Sequence, residues 1–291
     1  MEDSDDENDD EETTTEEELK DFEKYAKSLA QNQVRKYNEG KEILPEDEYL
    51  SMVNSLNNQQ RKIFDDFVER LSDPADDSPF YLYIGGEAGT GKSFLLKLMI
   101  QATNRLTKYS GQKLDKPTSL VVAPTGVAAY IINGNTIDSA VGLLPQTRKA
   151  YSKNSASRNA NLRFIYEDLK VLFLDETSMC GNAKFTMLNY RLQDIMGNSQ
   201  FMGGISVITT GDFGQLPPVR EKMIWENSNL DGRCDLSPNQ WDEHFQIYYL
   251  TEKMRSQDAE FSKISDKVRK GTCDSEVQKF MEKCVKSCPN E

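Results

Sequence analysis

Eight residues constrain this chain more than any others. Gly86-Glu87-Ala88-Gly89-Thr90-Gly91-Lys92-Ser93 stands between an apolar run, Phe80-Tyr81-Leu82-Tyr83-Ile84, and a helix-favouring stretch, Phe94-Leu95-Leu96-Lys97-Leu98-Met99. A strand that stops at glycines, then a tight loop, then a helix is the opening of a βα unit. Similar apolar runs recur at Ser119–Ala123, Val171–Leu174, Ile205–Ile208 and Gln246–Leu250. These runs do not alternate with polar residues, and helical stretches separate them. Such strands are covered on both faces and lie parallel to one another. The predicted fold is α/β, a doubly wound, mostly parallel sheet with helices on both faces. In sheets of this kind ligands sit at the carboxyl ends of the strands, where the motifs below fall.

The octapeptide fits the Walker A pattern of P-loop NTPases at every fixed position. Gly86, Gly89 and Gly91 let backbone N–H groups wrap a phosphate with no Cβ in the way, and Glu87, Ala88 and Thr90 complete the wrap. The helix that follows adds a partial positive charge. Lys92 is placed to reach the β- and γ-phosphates of ATP, and the Ser93 hydroxyl to ligate Mg²⁺. A chance glycine-rich turn is the alternative, and the strand–loop–helix context disfavours it.

Val171-Leu172-Phe173-Leu174 ends in Asp175-Glu176, a Walker B element about eighty residues downstream. Asp175 is expected in the Mg²⁺ shell, and Glu176 is placed to orient and deprotonate the attacking water. Gly211-Asp212-Phe213-Gly214-Gln215-Leu216-Pro217-Pro218-Val219 follows the fourth run. The Gln215 amide can donate and accept, which suits sensing a γ-phosphate or positioning water. A loop stiffened by its prolines is the plainer reading of the same residues.

The formal net charge of −13 misleads. Residues 1–18 hold twelve acids and no Lys or Arg; removing these twelve from 48 acids leaves 36 against 35 bases, so the body is near neutral. A nucleic-acid partner is therefore not excluded by bulk charge, and local distribution decides. Residues 1–15 read as a disordered acidic tail. Thr15–Glu18 looks like a capping box for a helix to about Tyr37, and further helices are expected over 45–55 and 58–71. Five cysteines in 291 residues suggest reduced thiols, since Cys273, Cys284 and Cys288 match no common zinc spacing. No apolar stretch is long enough to span a membrane, and the acidic N-terminus fits neither a secretory signal nor a transit peptide, so an intracellular location is expected.

Taken together, the motifs resemble those of the PIF-type DNA helicases of superfamily one, including the helicase parts of Helitron-like transposons. Leu56-Asn57-Asn58-Gln59-Gln60 looks like the adenine-reading Q motif, with Gln60 as its glutamine. Ala123-Pro124-Thr125-Gly126-Val127-Ala128-Ala129 looks like motif Ia, and Thr136-Ile137-Asp138-Ser139 stands where the family usually reads Thr-Ile-His-Ser. Asp175–Met179 resembles motif II and Gly211–Val219 motif III. Trp241 and Leu250–Arg255 resemble the segment leading into motif IV, with Arg255 reaching the γ-phosphate. The likeness spans roughly residues 50–272.

The resemblance implies an ATP- and Mg²⁺-dependent DNA helicase that moves 5′ to 3′ on single-stranded DNA, acting as a monomer. It implies nuclear work in repair, recombination, telomere maintenance or transposition. It implies a RecA-like ATPase domain over 56–252, preceded by a helical extension over 16–55, with 253–291 as the start of a truncated second RecA-like domain. Thr125, Gly126, Thr136 and Ser139 are the implied DNA contacts, a hydroxyl and an unhindered N–H being typical phosphate ligands. Asp138 departs from the pattern by setting an acid where DNA phosphate is expected. Between motifs Ia and II, residues 145–164 carry Arg148, Lys149, Lys153, Arg158 and Arg163 with Tyr151 and no acid. That stretch reads equally as a flexible groove for single-stranded DNA or as a solvated loop. A small-molecule P-loop kinase is a competing class, but it gives no place to Gln215-Leu216-Pro217-Pro218 or Arg255. A catalytically silent ATP- or DNA-binding module is the third, because the motifs beyond Arg255 that carry the family's arginine finger are not in this sequence.

Overall fold

A computed structural model of the chain describes residues 43–73, 75, 78–109, 116–143, 151–226, 240–254 and 259–287. The acidic tail, the helix expected before residue 38, Arg148, Lys149, Arg255 and Cys288 lie outside the described residues.

Helix α1 (Glu46–Asn54) starts after Pro45, with three acids in its first turn opposing the positive end of the helix. Helix α2 (Asn58–Ser72) opens on a reciprocal capping box. The Asn57 side chain accepts the Gln60 N–H at 2.8 Å and the Gln60 side chain accepts the Asn57 N–H at 3.2 Å. Six strands follow in chain order: β1 (Tyr81–Gly86), β2 (Ser119–Ala123), β3 (Asn135–Thr136), β4 (Val171–Leu174), β5 (Ser206–Gly211) and β6 (Gln246–Leu250). They form one sheet in the order β3-β2-β4-β5-β1-β6, and every neighbouring pair is parallel. The connecting helices are α3 (Lys92–Tyr109), α4 (Gly126–Ile131), α5 (Ile137–Val141), α6 (Ala156–Ile165), α7 (Asn182–Met196) and α8 (Gln240–His244). Helices α9 (Ala259–Arg269) and α10 (Ser275–Ser287) come last.

The unalternating runs are explained by two cores, one on each face. Leu82, Ile84, Val171, Phe173 and Ile208 point to one side and meet Phe67 of α2 and Leu95 and Met99 of α3. Their neighbours Tyr81, Tyr83, Leu172, Leu174 and Val207 point to the other side, against Ile137 of α5 and Leu188 and Leu192 of α7. Successive side chains of a strand take opposite faces, so a strand buried on both must be apolar at every position. Phe67 is fully buried between Phe80 and Phe173. Truncating such a phenylalanine to Ala costs about 3–5 kcal/mol, so α2 belongs to the body of the sheet domain.

Three elements differ from the sequence reading. β5 runs on to Gly211 through Thr209 and Thr210, both fully buried although polar. The Thr209 hydroxyl donates to the Leu82 carbonyl at 3.2 Å. β3 has only two polar residues and leaves no apolar run to find. In the stretch read as a flexible basic groove or solvated loop, α6 is an ordered helix capped by Ser155. Arg158 is buried there, and Arg163 donates to the Ile195 carbonyl at 2.8 Å. Two of the stretch's cations thus serve the fold.

Candidate nucleotide site and DNA edge

Strand order fixes what meets what. Along the carboxyl edge of the sheet stand, in turn, Thr136 at the end of β3, Thr125 after β2, Asp175-Glu176 after β4, Asp212–Gln215 after β5, the phosphate loop after β1, and Thr251–Met254 after β6.

The loop between β1 and α3 turns through Gly89 and Gly91, at φ +84° and +83°. At Gly91 an added Cβ would also collide with the Gln60 amide, so only glycine fits there. Lys92 Nζ donates to the carbonyls of Gly86 at 2.7 Å and Glu87 at 3.0 Å. The ammonium thus bridges the concave side of its own loop, where an anion would draw it away. Burial pulls the Lys92 pKa below the ordinary lysine value, opposed by the charges of Asp212, Glu176 and Asp175. Ser93 is exposed at the start of α3.

Asp175 is buried at the tip of β4. Its Oδ1 accepts the Thr210 hydroxyl and, at 2.9 Å, the N–H of Glu176. Both donors fall on one oxygen, which fixes the carboxylate at the strand tip. Thr210 was missed in the sequence reading, because a threonine in a strand carries no motif. Glu176 sits at φ +52°, a left-handed backbone that turns its side chain off the strand line. Its pKa is raised, first by burial and then by the Asp175 charge, with Lys92 opposing. A carboxylate that holds its proton more tightly is a stronger base, as proton abstraction from water needs. The hard-oxygen pair of Ser93 and Asp175 suits Mg²⁺, which takes one or two protein oxygens and completes its shell with phosphates and water.

The turn after β5 is built on Asp212. Its carboxylate accepts the Gly214 N–H at 3.0 Å and the Gln215 side-chain amide at 3.2 Å. The loop is therefore ordered by a carboxylate as well as by Pro217 and Pro218, and Gln215 stays exposed. Gln60, by contrast, is 1% exposed. Beyond its role in the cap of α2, its Nε2 donates to the Thr90 carbonyl at 3.1 Å. Neighbouring Gln59 accepts the Thr251 N–H at 3.0 Å, and the Met254 N–H donates to Gly89 at 2.8 Å. The Q segment, the phosphate loop and the residues after β6 thus form one hydrogen-bonded unit. Asn57, Gln59, Thr251 and Met254 lie in motif segments quoted from the sequence, and the structure adds their contacts with one another and with the phosphate loop.

At the other end, Thr125 and Thr136 cap α4 and α5, accepting N–H groups of Ala128 and Ser139, each at 3.3 Å. Thr136 also donates to the Ser139 hydroxyl at 2.9 Å. Gly126 is exposed, and a Cβ there would touch nothing within 4 Å. Asp138, read as an acid in the path of DNA, is met by Lys184 of α7 at 2.8 Å. An apolar cavity of about 380 Å³ lies away from this edge, lined by Met52, Ile100, Leu120 and Ile132, and none of the motif residues reaches it. Among the described residues no helix is long and apolar enough to cross a membrane.

A parallel sheet with a phosphate loop after β1 and an acid pair after a strand one place removed defines a P-loop NTPase core. The comparisons narrow the class. The model of the PIF1-like helicase family matches residues 55–279, and the chain belongs to that family. It is 33% identical over 197 residues to the ATP-dependent DNA helicase PIF1 of Emericella nidulans, covering 65% of this chain and 24% of that protein. To the ATP-dependent DNA helicase PIF1 of Saccharomyces cerevisiae it is 30% identical over 215 residues, covering 72% and 23%. Among solved structures, the Pif1 helicase from Candida albicans superposes with a TM-score of 0.59 at 24% identity, over 81% of this chain and 48% of that one. Bacteroides Pif1 bound to ssDNA gives 0.57 at 24% identity, over 78% and 49%. These two likenesses show a shared fold. The chain spans about a quarter of the length of the curated relatives it matches.

Proposed function

We propose that this chain is the ATP-hydrolysing motor region of a DNA helicase, coupling ATP turnover to movement along single-stranded DNA. The observation that carries the reading is the meeting of Lys92, Asp175, Glu176 and Gln215 at the carboxyl ends of three adjacent strands, β4, β5 and β1. In this reading Lys92 leaves the Gly86 and Glu87 carbonyls for the β- and γ-phosphates. Glu176 takes the proton of the attacking water, and Gln215 holds that water or the γ-phosphate. Ser93 and Asp175 would hold Mg²⁺, which neutralises charge on the phosphate oxygens. Gln60 keeps the loop in register with the segment that carries the base, and Arg255 supplies a cation to the γ-phosphate. Residues 56–252 are the motor domain, 16–55 an extension and 253–291 the start of a second domain.

Thr125, Gly126, Thr136 and Ser139 contact the DNA backbone. β2 stands three strand positions from β1, about 14 Å at the usual spacing, so strand and nucleotide share one edge. Translocation 5′ to 3′, a monomeric motor and a nuclear setting follow from kinship with the family.

The test is steady-state ATP hydrolysis by the purified chain with and without single-stranded DNA, with Lys92→Ala as the blank. Turnover stimulated by DNA supports the reading. ATP binding with no turnover in either condition replaces it with a silent nucleotide-binding module, and turnover indifferent to any DNA points to a small-molecule kinase.

A further inference from the structure

Helix α9 ends in Arg269, and its guanidinium reaches across to the nucleotide site. Nη2 donates to Asp212 Oδ1 at 2.5 Å and Nη1 to Glu87 Oε1 at 3.0 Å. Glu87 belongs to the phosphate loop, and its other oxygen meets Lys253 at 3.1 Å. Lys253 in turn pairs with Asp266 of α9. Asp212 is the pivot of the turn after β5. Besides holding the Gly214 N–H and the Gln215 amide on its carboxylate, it accepts the Gln215 N–H on its main-chain carbonyl at 2.8 Å. The guanidinium lies so close over Gly214 that a Cβ there would collide with it. The glycine is what lets the arginine approach.

The Asp212 side chain is 3% exposed, so its charge depends on what faces it. Burial pushes its pKa up, but the Arg269 bond, the Gly214 N–H and the Gln215 amide together hold it below the ordinary carboxylate value. Glu87 stands where phosphates approach, and an unpaired carboxylate there would repel them. A planar fork can satisfy two carboxylates on different elements at once, which a point-charge ammonium does poorly.

We propose that Arg269 is a positioning residue for ATP hydrolysis: through Asp212 it holds Gln215 and the 212–215 turn beside the phosphate loop, and so ties turnover to the placement of α9. This rests on the ATPase reading above. Any displacement of α9 withdraws the guanidinium, loosens the turn and leaves Glu87 to Lys253 alone. The helix thereby reports its position to the group that senses the γ-phosphate.

The experiment compares Arg269→Ala, Arg269→Lys, Gln215→Ala and the Arg269→Ala/Gln215→Ala double variant in the full chain, by DNA-stimulated hydrolysis and by tryptophan fluorescence. Trp225 packs edge-on against Phe213 of the same turn at 4.5 Å, so its emission reads the turn without any turnover. Trp241 is buried and also meets Phe213, at 6.0 Å, so acrylamide, which reaches the part-exposed Trp225, separates the two signals. Arg269→Ala is expected to lower kcat about thirtyfold with KM for ATP within about twofold, the signature of lost transition-state positioning. The double variant should lose little beyond Gln215→Ala, and Arg269→Lys should recover part of the rate. Without nucleotide, Trp225 emission in Arg269→Ala should shift to the red and become more open to acrylamide. An unchanged kcat, a change in KM alone, or losses that simply add in the double variant would each overturn the proposal. Should the wild type itself fail to turn over ATP, the ATPase reading falls. The fluorescence arm still decides the tie, since wild-type emission and quenching in Arg269→Ala would refute it.

Discussion

The two ends of the carboxyl edge are built on different principles. At the nucleotide end, charged groups converge from strands distant in sequence, and each is held by named partners. Lys92 is held by its own loop, Asp175 by Thr210 and Glu176, and Asp212 by Arg269 and Gln215. At the DNA end the candidates are small and uncharged, two threonines that cap short helices, a serine bonded to one of them and a glycine open to solvent. The contrast matches the two proposed ligands. A triphosphate under reaction develops charge at defined points and rewards preorganised electrostatics. A strand that must slide is better met by N–H and hydroxyl groups that bind any phosphate and hold none for long.

The difference predicts a graded response to substitution. The largest effect belongs to Lys92→Ala, expected to abolish hydrolysis and weaken ATP binding in a filter or fluorescence assay while leaving the melting temperature close to that of the wild type. Hydrolysis that survives would break the nucleotide end of the comparison outright. Next is Glu176→Gln, expected to lower kcat by about 10²- to 10⁴-fold with ATP binding retained, the range of a lost general base. Because the Glu176 pKa is raised and its working form is the carboxylate, wild-type activity should fall as pH drops through that raised value. The acid limb of kcat/KM, which reports the nucleotide-free protein, should therefore lie above the range of an ordinary glutamate. A limb in the ordinary range would assign the base to another group.

Legibility in the sequence follows the same division. The phosphate loop and the acid pair could be read from residues alone because the chemistry admits few residue types at fixed spacing. The sheet could be read because burial on both faces enforces unbroken apolar runs such as Val171–Leu174. Thr209 and Thr210 escaped, since a buried threonine satisfied through a strand carbonyl or a neighbouring carboxylate looks like any other polar residue. Arg269 escaped because nothing local distinguishes the last arginine of an amphipathic helix. Its meaning comes from a fold that brings it 57 residues back to Asp212. In the basic stretch a charge count could not foresee that α6 would turn Arg158 inward.

Gln60→Ala probes the link between the phosphate loop and α2. Its side chain joins the cap of α2 to Thr90, so removal unties two elements at once. ATP affinity is expected to fall about tenfold, the size of one or two lost hydrogen bonds, and the preference for adenine over guanine nucleotides to relax. Competition binding with the two triphosphates measures both. An unaltered preference would limit Gln60 to shaping the loop.

The smallest effect is expected at the DNA end, where it is the more informative for being small. Lys184 neutralises Asp138 across α5 and α7, so this carboxylate stands in an ion pair rather than bare against DNA. Lys184→Ala frees the charge, and affinity for single-stranded DNA should drop about threefold at low salt, with the deficit shrinking as salt screens it. Asp138→Asn added to Lys184→Ala should restore most of the affinity, since removing the acid removes the repulsion. Rescue would mean that the pair's task is to cancel a charge, and that neutral groups suffice at this edge. Failure of rescue would mean that Lys184 itself grips phosphate, and the two ends of the edge would then differ less than their residues suggest.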